Sequence, residues 1–181
     1  MKEESTIDYL PVEEKECNED ELRMLAGSAD WKNRHFVATH KEAPPDVLLK
    51  LADDEVELVR RFVAANQNTP PKALSKLACD KEPFIRSLVA GHKNTPSDAL
   101  SELAKDQNQD VKIEVGRNRN TPPEILAALA NDRSGHIGLA VAGNPNTPTD
   151  VLAGLARESN AWINEAAVNN LVRRLKKLEG R

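Results

Sequence analysis

A Thr-Pro pair at Thr69-Pro70 returns at Thr95-Pro96, Thr121-Pro122 and Thr147-Pro148, each 26 residues after the last. A chain that restarts at a fixed interval folds as a row of like units, each buried against its neighbours rather than around one central core. The leucines extend the pattern beyond the marker. Leu22, Leu48, Leu74, Leu100, Leu126 and Leu152 share one register, and Leu25, Leu51, Leu77, Leu103, Leu129 and Leu155 another, each of the second set followed by Ala. Six copies therefore begin at Cys17, Ala43, Thr69, Thr95, Thr121 and Thr147. The first two lack the Thr and the first also lacks the Pro, as expected where an end unit turns one face to solvent.

Each copy reads as two short helical segments. In the first, Thr is placed to cap free amides and Pro follows at the first helical position. Asp98, Glu124 and Asp150, three residues after the Thr, suit a capping box and the positive end of the helix dipole. Leu at i and i+3 with Ala at i+4 gives a narrow apolar stripe. The segment stops near Asp54, Asp80, Asp106 and Asp132, which can cap the second segment. That second segment carries Val59, Ile85, Val111, Ile137 and Ile163 in one register. Val37, Val63, Val89, Val115 and Val141 form another, each followed by Ala or Gly. It ends at His40, Asn66, His92, Asn118 or Asn144, where Asn suits a left-handed closing residue. Helices of about 8–10 residues are marginal alone, so stacking has to stabilise them. The expected fold is an all-α solenoid, elongated and curved.

Outside the array, residues 1–16 read as an acidic leader. Residues 1–30 carry ten acids against three bases, whereas 31–181 carry 19 against 22. A leader of that composition is expected to remain solvated. At the other end the six-copy solenoid spans 17–172, and 173–181 finish a capping helix. No Asn-Thr-Pro break comes after Asn170, so helix is expected to about Leu178. Leu171, Leu175 and Leu178 would lie on the last repeat, with Arg173, Arg174, Lys176 and Lys177 in water. Trp31 and Trp162 are expected to cover the apolar ends. No apolar run approaches the roughly 20 residues of a membrane span, the N-terminus lacks a secretory apolar region, and two cysteines cannot build a disulfide framework. These features point to the cytoplasm.

The run VRRFVAANQNTPPKALSKLACD, Val59 to Asp80, resembles the leucine-rich repeat variant family, and Ile85 to Asp106 matches nearly as well. The resemblance covers about residues 17–172. It implies α-helices alternating with 3₁₀-type helices in a right-handed superhelix without strands. Some relatives carry a cysteine cluster holding an iron–sulfur centre; only Cys17 lies near this N-terminus, so no cofactor is expected. HEAT and armadillo arrays are the neighbouring architecture, with longer repeats of about 40 residues or more. The family brings no shared catalytic activity, and no catalytic motif stands in the chain.

Arg34, Arg60, Arg86 and Lys112 occupy one register, and Lys93, Arg117 and Arg119 widen it in the third and fourth copies. As a strip these bases would attract an acidic peptide, a phosphate backbone or the acidic leader. The competing reading pairs each with a repeat-borne acid such as Asp54, Asp80 or Asp106. The Asn/His series is assigned to helix closure and loop hydrogen bonding, because members about 10 Å apart cannot share one metal. Cys79 is expected at the surface without a neighbouring base. Glu114 stands where other copies have Phe62 and Leu88, and Gly135 and Gly138 interrupt a helix; such departures mark functional sites or drift.

The leading function is thus a non-enzymatic scaffold for protein or acidic-peptide partners, bound by Arg34, Arg60, Arg86, Lys93, Lys112, Arg117 and Arg119. Nucleic-acid binding is the alternative, weakened because single-strand readers stack bases on aromatics and only 3% of this chain is aromatic. An enzyme using Glu114 with His92 or His136 is the third reading.

Overall fold

The computed structural model describes residues 17–179, so the leader over 1–16 lies outside the described residues. Among the described residues there are twelve α-helices and no strand. Seven-residue helices α1 (Glu19–Leu25), α3 (Pro45–Leu51), α5 (Pro71–Leu77), α7 (Ser97–Leu103), α9 (Pro123–Leu129) and α11 (Thr149–Leu155) make one row. Nine-residue helices α2 (Trp31–Thr39), α4 (Glu57–Ala65), α6 (Pro83–Gly91), α8 (Gln109–Arg117) and α10 (Gly135–Gly143) make the other. The second row ends in α12 (Ala161–Glu179), which runs for 19 residues. Each copy of the repeat supplies one helix to each row. The nine-residue helices pack directly on one another in chain order, and each short helix leans on the long helix of its own copy.

Burial holds these short helices. The leucines in the register of Leu22, Leu48, Leu74, Leu100, Leu126 and Leu152 are fully enclosed, as are Val59, Ile85, Val111 and Ile137. One continuous core runs from Cys17 to Ala167. Each enclosed Leu or Ile contributes about 1.5–3 kcal/mol of transfer free energy, enough to offset the poor intrinsic stability of helices this short.

Several local expectations need correction. The short segments are α-helical rather than 3₁₀: the Leu74 and Ala78 amides reach back four residues, to Pro70 and Leu74, at 3.2 and 2.8 Å. Bonds to the third residue back flank them at the ends, as from Ala73 to Pro70. The Thr hydroxyls do not cap the helices after them. Thr69, Thr95, Thr121 and Thr147 are buried and donate backwards, to the carbonyls of Val63, Val89, Val115 and Val141, at 2.5–2.6 Å. The prolines hold the cap position without a side-chain bond. Asp98 bonds only the adjacent Ala99 amide, at 2.8 Å, so no capping box forms there.

The long helices close on extended residues, not left-handed ones. ψ is 126° at Asn66 and 125° at Asn118, and among the described residues no non-glycine φ is positive. Nor do Gly135 and Gly138 interrupt α10, which is continuous. A Cβ on Gly138 would lie 2.9 Å from Ile163 Cδ1, and one on Gly116 would lie 3.0 Å from Ala140 Cβ. Both glycines are contact points where successive long helices touch.

In α12 Leu171 packs against the core, but Leu175 and Leu178 stay 58% and 68% exposed among the described residues. Arg174 does not face open water. Its guanidinium donates to Pro145 O and Thr147 O, at 2.9 and 2.6 Å, and fastens α12 to the last loop. Trp162 does not seal the apolar end of the array, being 73% exposed.

Candidate functional site

Of the seven bases expected on one strip, four lie inside the stack. Nε of Arg34, Arg60 and Arg86 donates to Asp54, Asp80 and Asp106 of the next copy at 2.5, 2.7 and 2.6 Å, and Lys112 Nζ reaches Asp132 at 2.5 Å. The first three pairs are largely enclosed, Arg60 and Asp80 being 11% and 5% exposed. Arg60 Nη1 also donates to the carbonyls of Asp54 and Glu55 in its own copy, and Arg86 repeats the arrangement. Each of the four aspartates uses its other oxygen to accept the amide two residues on, as in Val56 and Glu82. Arg34, Arg60, Arg86 and Lys112 are therefore clamps between copies, because their charge is already matched by an aspartate of the next copy. The hydrogen bonds from Arg86 and Lys112 hold Asp106 and Asp132 below the usual carboxylate range. Burial pushes Asp54 and Asp80 up, but Arg34, Arg60 and the two amides more than offset it, leaving both below 3.8. The ladder stops where Gly138 takes the base's register and Glu158 the acid's.

A second ladder runs along the opposite ends of the long helices. Asn66 Nδ2 donates to Ala38 O and His40 O of the preceding copy at 2.8 and 2.9 Å, and Asn118, Asn144 and Asn170 repeat this pair of bonds. His92 holds the same place with a single bond, from Nε2 to Asn66 O, at 2.9 Å. The loop residues Asn68, Asn94, Asn120 and Asn146 donate to the carbonyls of Lys41, Gln67, Lys93 and Arg119. Each loop is thus pinned by the copy after it.

Lys93 and Arg119 stand on these pinned loops, and Arg117 is the last residue of α8. Lys93, Arg117 and Arg119 are exposed and line one cleft of about 240 Å³ between the ends of α6 and α8. Gly91 and Asn118 also line it, and a Cβ at Gly91 would come within 3.1 Å of Glu114 Oε2. Arg117 donates to Glu114 at 2.8 Å, a half-open pair in which the arginine keeps 63% of its side-chain exposure. Exposed pairs of this kind contribute about 0–1 kcal/mol, so Arg117 can exchange Glu114 for a stronger acceptor.

Two more clefts occupy the same register. Between α2 and α4, Thr39, Phe62 and Ala65 line about 430 Å³ with Lys41 at the rim. Between α10 and α12, Leu139, Gly143 and Trp162 line about 350 Å³ with Arg173 at the rim. Lys41 was absent from the sequence-based set, although it shares the register of Lys93 and Arg119 and signals itself by the 26-residue interval.

The remaining candidates are accounted for locally. Both ring nitrogens of His92 engage backbone, Nε2 at Asn66 O and Nδ1 at the Asn94 amide, so it is not a free base for Glu114. His136 is exposed on α10. Cys79 is exposed and Cys17 buried, both as free thiols. Another cleft, of about 500 Å³, lies in the short-helix row beside α7 and α9. It stands open because Ala128 replaces Lys76, whose ammonium bridges to Asp53 in the equivalent space. Its Lys112 and Asp132 neutralise one another, so it has less pull on a charged partner. Among the described residues no helix is long and apolar enough to cross a membrane.

Fold and surface together define an all-α helical-repeat solenoid whose copies are fastened by side-chain ladders. The chain is similar to a solved leucine-rich repeat variant with a novel repetitive structural motif, and it shares that protein's fold. The two are 24% identical with a TM-score of 0.64, over 87% of this chain and 63% of the other. Two designed armadillo repeat proteins, one in complex with the peptide (KR)4, align over 86% and 85% of this chain and 98% of their own. They are 15% and 14% identical to it, with TM-scores of 0.49 and 0.44. No family model and no curated protein matches the chain.

Proposed function

We propose that this protein is a non-enzymatic scaffold that holds an extended acidic peptide along the loop edge of its long-helix row. The convergence of Lys93 and Arg119, on loops fixed by the next copy, and of Arg117, at the end of α8, on one cleft carries the reading. Rigid presentation lowers the ordering cost of binding. The periodic clefts on either side, spaced by whole repeats, suit a segment lying along the array. A peptide fits the central cleft better than a nucleic acid does, since no aromatic side chain lines it for base stacking. The free thiols of Cys17 and Cys79 are in keeping with a reducing cytoplasm.

The test is fluorescence anisotropy of a labelled glutamate-rich peptide titrated with the full chain. Binding that weakens with salt and is lost in Arg117→Glu/Arg119→Glu, with the helical circular dichroism unchanged, is expected. Equal binding by that variant would refute the surface. Salt-sensitive binding of a single-stranded oligonucleotide in place of the peptide would move the reading to nucleic acid.

A further inference from the structure

The central cleft continues inward along α6. We propose that the exposed face of α6 binds an aromatic side chain of the same acidic peptide, its ring on Phe84 and Leu88 and its neighbouring carbonyl or carboxylate on Arg61. This rests on the reading of the groove given above and deepens it. The partner becomes an extended peptide whose acids sit at the loop edge and whose aromatic residue, four positions away, lies down the long helix.

Three observations converge on it. The first is an open aromatic ring. Phe84 is 54% exposed at the start of α6, and the Arg61 guanidinium of the preceding copy lies over it, 4.6 Å from the ring centroid. The same guanidinium is 6.0 Å from the centroid of Phe62, whose ring stands edge-on to His35 at 4.6 Å. The cation occupies one side of Phe84 and leaves the rest free for a second ring, stacked or edge-on as aromatic pairs prefer.

The second is charge. Among the described residues Arg61 forms no ion pair, whereas Arg60 beside it is held by Asp80. Its planar fork is thus open to an acceptor on the ligand. Lys93, Arg117 and Arg119 lie at the other end of α6, so the strip is positive at both ends. On α8, Asp110 and Glu114 hold the registers of Phe84 and Leu88. They repel a continuous phosphate backbone, whereas a peptide can carry uncharged residues past them. That favours a peptide over a nucleic acid on this face.

The third is spacing. Phe84, Leu88 and Gly91 stand at i, i+4 and i+7, one line along α6, and Gly91 lines the basic cleft. Seven helical residues rise about 10.5 Å. The middle of the cleft is offset toward α8 by half of the about 8–10 Å between stacked helices, which puts it about 11–12 Å from Phe84. Four residues of extended chain span about 13 Å, and side chains four apart point the same way. A peptide with one carboxylate in the cleft therefore brings the side chain four positions on to Phe84.

Fluorescence anisotropy of the full chain with three labelled peptides tests this. EEGSGFGS, which places Phe four residues from the second Glu, should bind about five-fold more tightly than EEGSGSGS. EEGFGSGS, with Phe too near the acids, should show no such gain. The variant Phe84→Ser alters a largely exposed side chain and leaves the stack folded, and it should bind EEGSGFGS and EEGSGSGS equally. If the unaltered chain binds those two equally, and both weaken in Arg117→Glu/Arg119→Glu, the inference fails and the acidic groove stands. A preference that survives in Phe84→Ser, or an equal gain for EEGFGSGS, would also overturn it. If no peptide binds, both readings fail. An oligothymidylate that binds more tightly than the peptides and weakens in Phe84→Ser would assign the strip to nucleic acid and overturn it.

Discussion

Replacing Asn144 with Ala isolates the fastening between the fourth and fifth copies. Its side chain is 2% exposed and donates to Gly116 O and Asn118 O at 2.7 and 2.8 Å. Asn118 O keeps the Thr121 amide at 3.1 Å, whereas no backbone amide reaches Gly116 O. The loss includes the two buried carbonyl bonds, each a net contribution of about 0.5–1.5 kcal/mol, plus about 1–3 kcal/mol for a buried carbonyl without a donor. The third bond, from the partly exposed Asn146 amide to Asn144 Oδ1 at 2.8 Å, is replaced by water, and the total comes to about 2–6 kcal/mol. With a urea dependence of about 2 kcal/mol per molar for a chain of this size, the circular dichroism midpoint should fall by roughly 1–3 M. Because neighbouring copies are coupled only pairwise, the transition should also broaden or split as the last two copies separate from the first four. The comparison is Asn146→Ala, which loses bonds to Arg119 O and Thr121 O at 2.6 and 3.3 Å in a solvent-exposed position. Water replaces those, and the cost should be under about 1 kcal/mol. Equal shifts for the two variants, or a shift below about 0.3 M for Asn144→Ala, would refute the assignment of stability to the buried ladder.

Three further outcomes are expected from the same ladders. His92→Asn restores the two-carbonyl clamp at the one long-helix closure among copies two to five that lacks it, and should raise stability by about 1 kcal/mol in urea titration. Lys112→Arg lets a planar fork bond both oxygens of Asp132 and the carbonyls of its own loop, as Arg86 does, and should raise the melting temperature by a few degrees. Asp54, Asp80, Asp106 and Asp132 all titrate below their usual range in the folded chain. Their contribution is complete above the unfolded value near 3.8 and is lost as pH falls from there through the folded values. Acid unfolding should therefore set in below about pH 4, and Asp80→Asn should flatten it; unchanged acid sensitivity would count against the clamp.

The fold was legible because register alone carries it: Leu, Val and Ala at fixed intervals can be buried together only by stacking. The clamp was half legible. Arg60 and Asp80 recur in step, yet a one-dimensional pattern cannot say that a base reaches forward 20 residues into the next copy rather than outward. Backbone propensity misled at Thr69 and Asn66, where capping preferences gave way to buried bonds between segments. Gly138 looked like a helix breaker, and only the position of Ile163 shows the contact it makes. Lys41 was overlooked because its neighbour in register is the uncharged Gln67.

The division of the bases into internal clamps and outward contacts is best tested by following arginine Nε–H resonances of the labelled chain as a glutamate-rich peptide is added. Signals of Arg34, Arg60 and Arg86 should stay in place, held by their aspartates, while those of Arg117 and Arg119 move and saturate together. Movement of the first group with the second unchanged would contradict the account.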